Sequence, residues 1–157
     1  MWSNYFGPQA KITGIDIDVS CKFLKYEEKN IEVRIGDQGS SEFWDMFLAE
    51  NPHIDVLIDD GGHYMDQQIL TFEKVFPRMP VGSIYICEDV HTSYMAHNGG
   101  GYGVKSSFIN YAKGYVDVVH SCSPLAHPVQ TTVTSFFMIS AARAELPAAE
   151  WIAARIR

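Results

Sequence analysis

The sequence predicts an α/β fold, a mostly parallel sheet with helices on both faces. Three observations lead there. The apolar runs at 54–58 and 83–87 (IDVLI and SIYIC) are nearly continuous rather than alternating, which marks strands covered on both faces. Between them lies a helical stretch carrying Ile69, Leu70, Phe72, Val75 and Phe76, and a strand–helix–strand unit of this kind closes right-handed into parallel pairing. Each run also ends in acid, Asp59-Asp60-Gly61-Gly62-His63 after the first and Glu88-Asp89 after the second, so both clusters emerge on one edge of one sheet. In open α/β sheets that edge is where ligands sit.

Taken in order, residues 1–6 read as the end of a helix, stopped by Gly7-Pro8. Residues 11–18 (KITGIDID) form a strand closing in acid, and such a residue commonly holds ribose hydroxyls, with Asp16 or Asp18 in that place. The charged patch Lys25-Tyr26-Glu27-Glu28-Lys29 is a solvated helix or connection. Residues 31–35 alternate as a strand and end in the turn Gly36-Asp37-Gln38. Ser40-Ser41-Glu42 starts a helix with Phe43, Trp44, Phe47 and Leu48 on its apolar face, and Asn51-Pro52 ends it. After the central unit, residues 95–103 (MAHNGGGYG) read either as a flexible surface loop or as a lid over the acidic edge; no Gly-Lys-Ser/Thr follows, so this is not a phosphate loop. Residues 106–113 predict a helix with Phe108, Ile109 and Ala112 inward, 116–119 and 133–139 the closing strands, with a Pro124 and Pro128 loop between them, and 145–157 an alanine-rich helix.

With 157 residues and 46% hydrophobic content, the chain reads as one domain, residues 1–157. A formal charge of −7 argues against a nucleic-acid surface. Cys21, Cys87 and Cys122 have no metal-ligand spacing and fit a reduced cytoplasm. No stretch is long and apolar enough for a bilayer helix, so a soluble cytoplasmic protein is expected, with homo-oligomerisation left open.

Asp59, Asp60, Glu88 and Asp89 repel one another at neutral pH unless a cation offsets them. Oxygen donors favour Mg²⁺, Ca²⁺ or Mn²⁺ over zinc. His63, two glycines beyond Asp60, can face the same crevice as an acid or base. The plainer alternative is that Asp60 or His63 caps the helix starting near Tyr64.

The runs IDDGGHYMDQQ and ICEDVHTSY resemble the metal-dependent, S-adenosylmethionine-dependent O-methyltransferases of macrolide biosynthesis, of the mycinamicin and demethylmacrocin type, with the related cephalosporin hydroxylases and rhamnosyl O-methyltransferases. The matching segments run from about residue 2 to about residue 139. The resemblance implies a Rossmann-like class I methyltransferase sheet, with S-adenosylmethionine and Mg²⁺ as cofactors and a hydroxyl of a sugar or glycosylated natural product as acceptor. It implies Asp60, Glu88 and Asp89 as metal ligands and His63 as general base. It also places Asp16 at the ribose and Asp37 or Gln38 at the adenine, with Asp59 assigned to the same cofactor side.

The sequence departs from that family at its start. The family's first strand and glycine-rich turn, which cradle the methionine part of the cofactor, have no counterpart before residue 1. That strand lies between those ending in Asp16 and Asp59, so an N-terminally truncated domain is expected, with unpaired edges at the centre of its sheet. The competing expectation for function is therefore a metal-binding fragment without catalytic activity. A nicotinamide-binding domain is disfavoured because no G-x-G-x-x-G precedes the Asp16 strand.

Overall fold

A computed structural model describes residues 2–27, 30–121 and 153–155 of the chain. Its elements are α1 (Trp2–Phe6), β1 (Lys11–Asp16), β2 (Ile31–Ile35), α2 (Ser41–Glu50), β3 (Val56–Asp59), α3 (Met65–Val75), β4 (Ile84–Cys87), α4 (Phe108–Ser121) and β5 (Ala153–Arg155). Short 3₁₀ turns at Val19–Phe23, Phe76–Arg78, Val90–Tyr94 and Ala96–Asn98 join them.

The strands form one sheet in the order β2-β1-β5-β3-β4. β1 pairs parallel with β2, Ile12 opposite Ile31 through Asp16 opposite Ile35. β3 pairs parallel with β4, Val56 opposite Ile84 through Asp59 opposite Cys87. The expected strand–helix–strand unit is therefore present in the expected sense. Alternation then divides the core: Ala10, Ile12, Val56 and Ile58 lie on one face, with Trp2 and Phe6 of α1 against them. Leu57, Tyr85 and Cys87 lie on the other, under Trp44, Phe47 and Leu48 of α2, Met65, Phe72 and Val75 of α3, and Phe108 and Ala112 of α4. Helices thus cover both faces.

Three expectations need correction. The sheet centre is not left unpaired: β5 fills it, antiparallel to both neighbours, with Ala154 opposite Ile12 and Val56. Residues 153–155 are accordingly strand, not part of an alanine-rich helix. Residues 116–119 are not a strand but continue α4 to Ser121. The physical reason is periodicity: Phe108, Ile109, Ala112 and Tyr115 recur at helical spacing against α3, and this outweighs the β-branched residues Val116, Val118 and Val119. The strand expected at 133–139 and the loop at Pro124 and Pro128 lie outside the described residues.

Candidate metal and nucleoside edge

The carboxyl ends of β3 and β4 lie side by side because the Glu88 backbone N–H donates to the Asp59 carbonyl at 2.8 Å. From there the chain brings Asp60, His63 and Asp89 together, with one ligand atom from each within 4.8 Å of the others. His63 Nε2 stands 3.7 Å from Asp89 Oδ2 and 4.0 Å from Asp60 Oδ1, while His91 Nδ1 lies 3.8 Å from Asp89 Oδ1. Asp60 and Asp89 are well sheltered, at 17% and 12% side-chain exposure, so their mutual repulsion is poorly screened. The two carboxylates suit Mg²⁺ or Mn²⁺, with the His63 imidazole standing against both. Glu88 is half-buried beside them but outside the 4.8 Å group.

Both His63 (φ 56°) and Asp89 (φ 50°) adopt the left-handed conformation, the only non-glycine residues among those described to do so. Such backbone costs about 1 kcal/mol or more per residue and persists where the surroundings enforce it, commonly at functional sites. Part of the enforcement is visible. The side chain of Asn98 donates to the His63 carbonyl at 3.1 Å, and Thr92 donates through backbone N–H and hydroxyl to the Asp89 carbonyl at 3.0 and 2.8 Å. The cap position of α3 falls on Tyr64, not on Asp60 or His63.

A crevice beside this group is lined by Ile15, Asp16, Ile17, Gly36, Asp37, Gln38, Gly61, Gly62 and Gln67. Asp16 and Asp37 therefore meet at one place. Asp18 does not line it; Asp18 caps the 3₁₀ turn after β1 by accepting from Ser20 N–H at 2.8 Å, and this bond holds its carboxyl below the usual range. Asp16 Oδ1 accepts from Asp18 N–H (2.8 Å) and Asp37 Oδ1 from Gly39 N–H (2.7 Å), so local turn bonds fix both carboxylates.

Asp59 lies beneath the crevice rather than in its lining, and Gln38, which lines the crevice, reaches across to it. Asp59 is 2% exposed and points under the edge, where Gln38 Nε2 donates to its Oδ1 at 2.5 Å and Tyr85 to its Oδ2 at 3.1 Å. Burial pushes its pKa up to about 7, against the lowering effect of the Tyr85 and Gln38 bonds, with the Asp60 charge adding to the rise. Gln38 Oε1 accepts from Gly62 N–H at 3.1 Å, so both ends of that amide are occupied. Sequence reasoning missed this brace and missed Asn98. A signal for the brace was present in Gly61, where an added Cβ would overlap the Gln38 amide.

No family model matches the chain. Among curated proteins, it is 32% identical over 124 residues to L-olivosyl-oleandolide 3-O-methyltransferase of Streptomyces antibioticus, covering 76% of this chain and 31% of that protein. It is 35% identical over 101 residues to mycinamicin VI 2''-O-methyltransferase of Micromonospora griseorubida, covering 64% and 24%. Among solved structures, it superposes on the MycE methyltransferase of the mycinamycin pathway in complex with Mg and SAH, with a TM-score of 0.65 and 24% identity over 78% of this chain and 32% of that one. A second MycE complex, with Mg, SAH and mycinamycin VI, matches at TM-score 0.62 and 26% identity over 69% and 30%. The fold is thus that of a class I methyltransferase, and the chain spans about a third or less of the length of these relatives.

Proposed function

We propose that this chain, a relative of the sugar O-methyltransferases of macrolide and polyketide pathways over one part of their length, carries the metal and nucleoside edge of a Mg²⁺-dependent, S-adenosylmethionine-dependent O-methyltransferase acting on a glycosylated natural product. One observation carries the reading. The Asp59–His63 loop presents Gly61 and Gly62 to the crevice of Asp16 and Asp37, while Asp60 and His63 join Asp89 in the metal group. Nucleoside and ion would share a single loop, so the methyl donor and the acceptor hydroxyl would be held side by side.

In this reading Asp16 holds the ribose hydroxyls and Asp37 the adenine amino group. Asp60 and Asp89 hold the ion, with Glu88 completing the oxygen set. When bound, the ion supplies positive charge that lowers the pKa of an acceptor hydroxyl, and the methyl donor supplies its electrophilic methyl group. A sugar hydroxyl is a far weaker acid than imidazolium, so His63 Nε2 can take the proton at a useful rate only from a hydroxyl polarised in this way. The geometry helps, because that nitrogen faces Asp60 and Asp89 together. Mycinamycin VI bound to MycE supports the acceptor class proposed here.

The test combines Mn²⁺ titration with methyl-transfer turnover of this protein. Asp60→Ala should weaken the ion at least tenfold, because the remaining carboxylates compete poorly with its hydration. His63→Ala should keep the ion and lose roughly 10²–10⁴ in turnover, the scale of a general base. Unchanged affinity in Asp60→Ala sinks the metal assignment. Loss of the ion in His63→Ala makes His63 a ligand, as its place in the three-residue group would allow, and passes the base role to His91.

A further inference from the structure

We infer that Gln38 is a positioning residue that couples the nucleoside crevice to the metal group, so that the two ligands bind cooperatively. The inference rests on the functional reading above but goes beyond it, since it concerns energy passing between the two subsites. Asp37 and Gln38 form the turn after β2 that lines the nucleoside crevice. The backbone of that turn is anchored where Trp44 Nε1, from the core of α2, donates to the Gln38 carbonyl at 2.9 Å. Its side chain then crosses to the other half of the sheet, Nε2 donating to Asp59 Oδ1 at 2.5 Å and Oε1 accepting from Gly62 N–H at 3.1 Å.

Those bonds reach the residue immediately before His63 and the residue immediately before Asp60. Asp59 cannot yield to a moving Gln38, because Tyr85 holds its second oxygen at 3.1 Å in the core. Gly61 leaves the space in which the amide sits, and Gly62 leaves the space for the Gln67 side chain, so the loop is fitted around these two glutamines. His63 follows with its backbone at φ 56°, a conformation that depends on its neighbours staying in place.

A nucleoside in the crevice presses on the turn at Asp37–Gln38 and on Gly61–Gly62, whereas an ion fixes Asp60 and Asp89. Each ligand orders the same loop, so whichever binds first lowers the ordering cost left for the second. Linkage then requires the effect to be reciprocal, and couplings of this kind typically amount to about 5–150-fold in affinity. Gln38 is the described side chain hydrogen-bonded to both the Asp59 carboxylate and the Gly62 amide, and removing its amide should separate the two binding events without removing either site.

The experiment measures Mn²⁺ dissociation constants by electron paramagnetic resonance, with and without saturating S-adenosylhomocysteine, and the reciprocal nucleoside constants with and without Mn²⁺. In the wild-type chain each ligand should tighten the other by the same factor, about fivefold or more. Gln38→Met keeps the length of the side chain and removes both hydrogen bonds; each ligand should still bind, and the factor should fall close to one. Gly61→Ala leaves Gln38 intact but puts a methyl group where its amide lies, and should give the same loss. Should a thermal melt show Gln38→Met unfolded, Gly61→Ala decides the matter. Independent binding in wild type, or coupling intact in either folded variant, overturns the inference and leaves the functional reading standing. A wild-type chain that fails to bind either one of the two ligands overturns both.

Discussion

Asp59 is a buried acid whose ionisation the fold opposes. Strand alternation puts it on the same face as Leu57, above Cys87 and beside Tyr85, so the last residue of β3 turns into the core while Asp60 turns out. Its folded pKa of about 7 lies above the ordinary value of 3.8. Between those values the folded chain holds a proton that the unfolded chain has released, so the contribution of Asp59 to stability is complete below about pH 4 and is lost as pH rises through about 7. Asp59→Asn removes this titration. In the presence of a chelator, the urea midpoint of wild type should fall relative to that of Asp59→Asn as pH is raised from 4 to 8. A constant difference between the two chains across that range would show that Asp59 is ionised throughout. The strand-end acids were legible in the sequence as a set; their division into a buried brace and an outward ligand follows from the period of two, whereas the left-handed backbone at His63 and Asp89 had no sequence signal beyond the neighbouring glycines.

At the scale of elements, the glycine-rich segment after Tyr94 shows how composition underdetermines structure. Glycine permits both mobility and close backbone approach, and the sequence alone left a flexible surface loop and a lid both open. The structure instead packs the segment down: Gly100 N–H donates to the Met95 carbonyl at 3.0 Å, Gly101 N–H to the Ser93 carbonyl at 2.9 Å, and Asn98 reaches the His63 carbonyl. A Cβ on Gly100 would overlap the Ser93 carbonyl and come within 2.9 Å of that of Thr92, both backbone atoms with little room to move. Gly114, in α4, has open space around its missing Cβ. The two substitutions to alanine should therefore differ in sign. Gly100→Ala should destabilise by about 1–3 kcal/mol through overpacking, and should also weaken Mn²⁺ by disturbing the Asn98 support of His63. Gly114→Ala should stabilise by roughly 0.5–1 kcal/mol through lower chain entropy in a helix. Paired thermal melts read both, and an unharmed Gly100→Ala would restore the lid. Extension of α4 through Val116–Val119 has a similar origin: β-branched composition suggested strand, but a continuous apolar face against α3 decided for helix.

For the molecule as a whole, the sheet consists of two parallel pairs, β2-β1 and β3-β4, joined through the three residues of β5. The candidate site is divided along the same line. Asp16, Asp37 and Gln38 belong to the first pair, and Asp60, His63, Glu88 and Asp89 to the second, so its geometry depends on what holds the pairs together. The apolar run of β3 and the acid-ended strand at 11–18 announced two strands, and the family resemblance announced a position between them. Nothing local announced that Ala153–Arg155 would occupy it, since an alanine-rich tail has high helix propensity and only the demand of two buried ladders for a partner makes it a strand. Ala154 pairs with Ile12 on one side and Val56 on the other. Proline there fixes φ, removes an N–H from a central strand and leaves a buried acceptor without its donor, a cost of about 1–3 kcal/mol for each orphaned group. Ala154→Pro should lower the melting temperature, and hydrogen exchange should quicken first at the amides of Thr13 and Val56, which face β5, whereas Ile12 N–H donates to the Asn30 carbonyl on the β2 side. Because the two halves of the site lie on opposite sides of that strand, Mn²⁺ affinity should change little, as its ligands share one pair, while the coupling between ion and nucleoside should weaken. If melting and exchange match wild type, β5 does not bridge the two pairs in solution, and Gln38 with the packed helices must hold them in register.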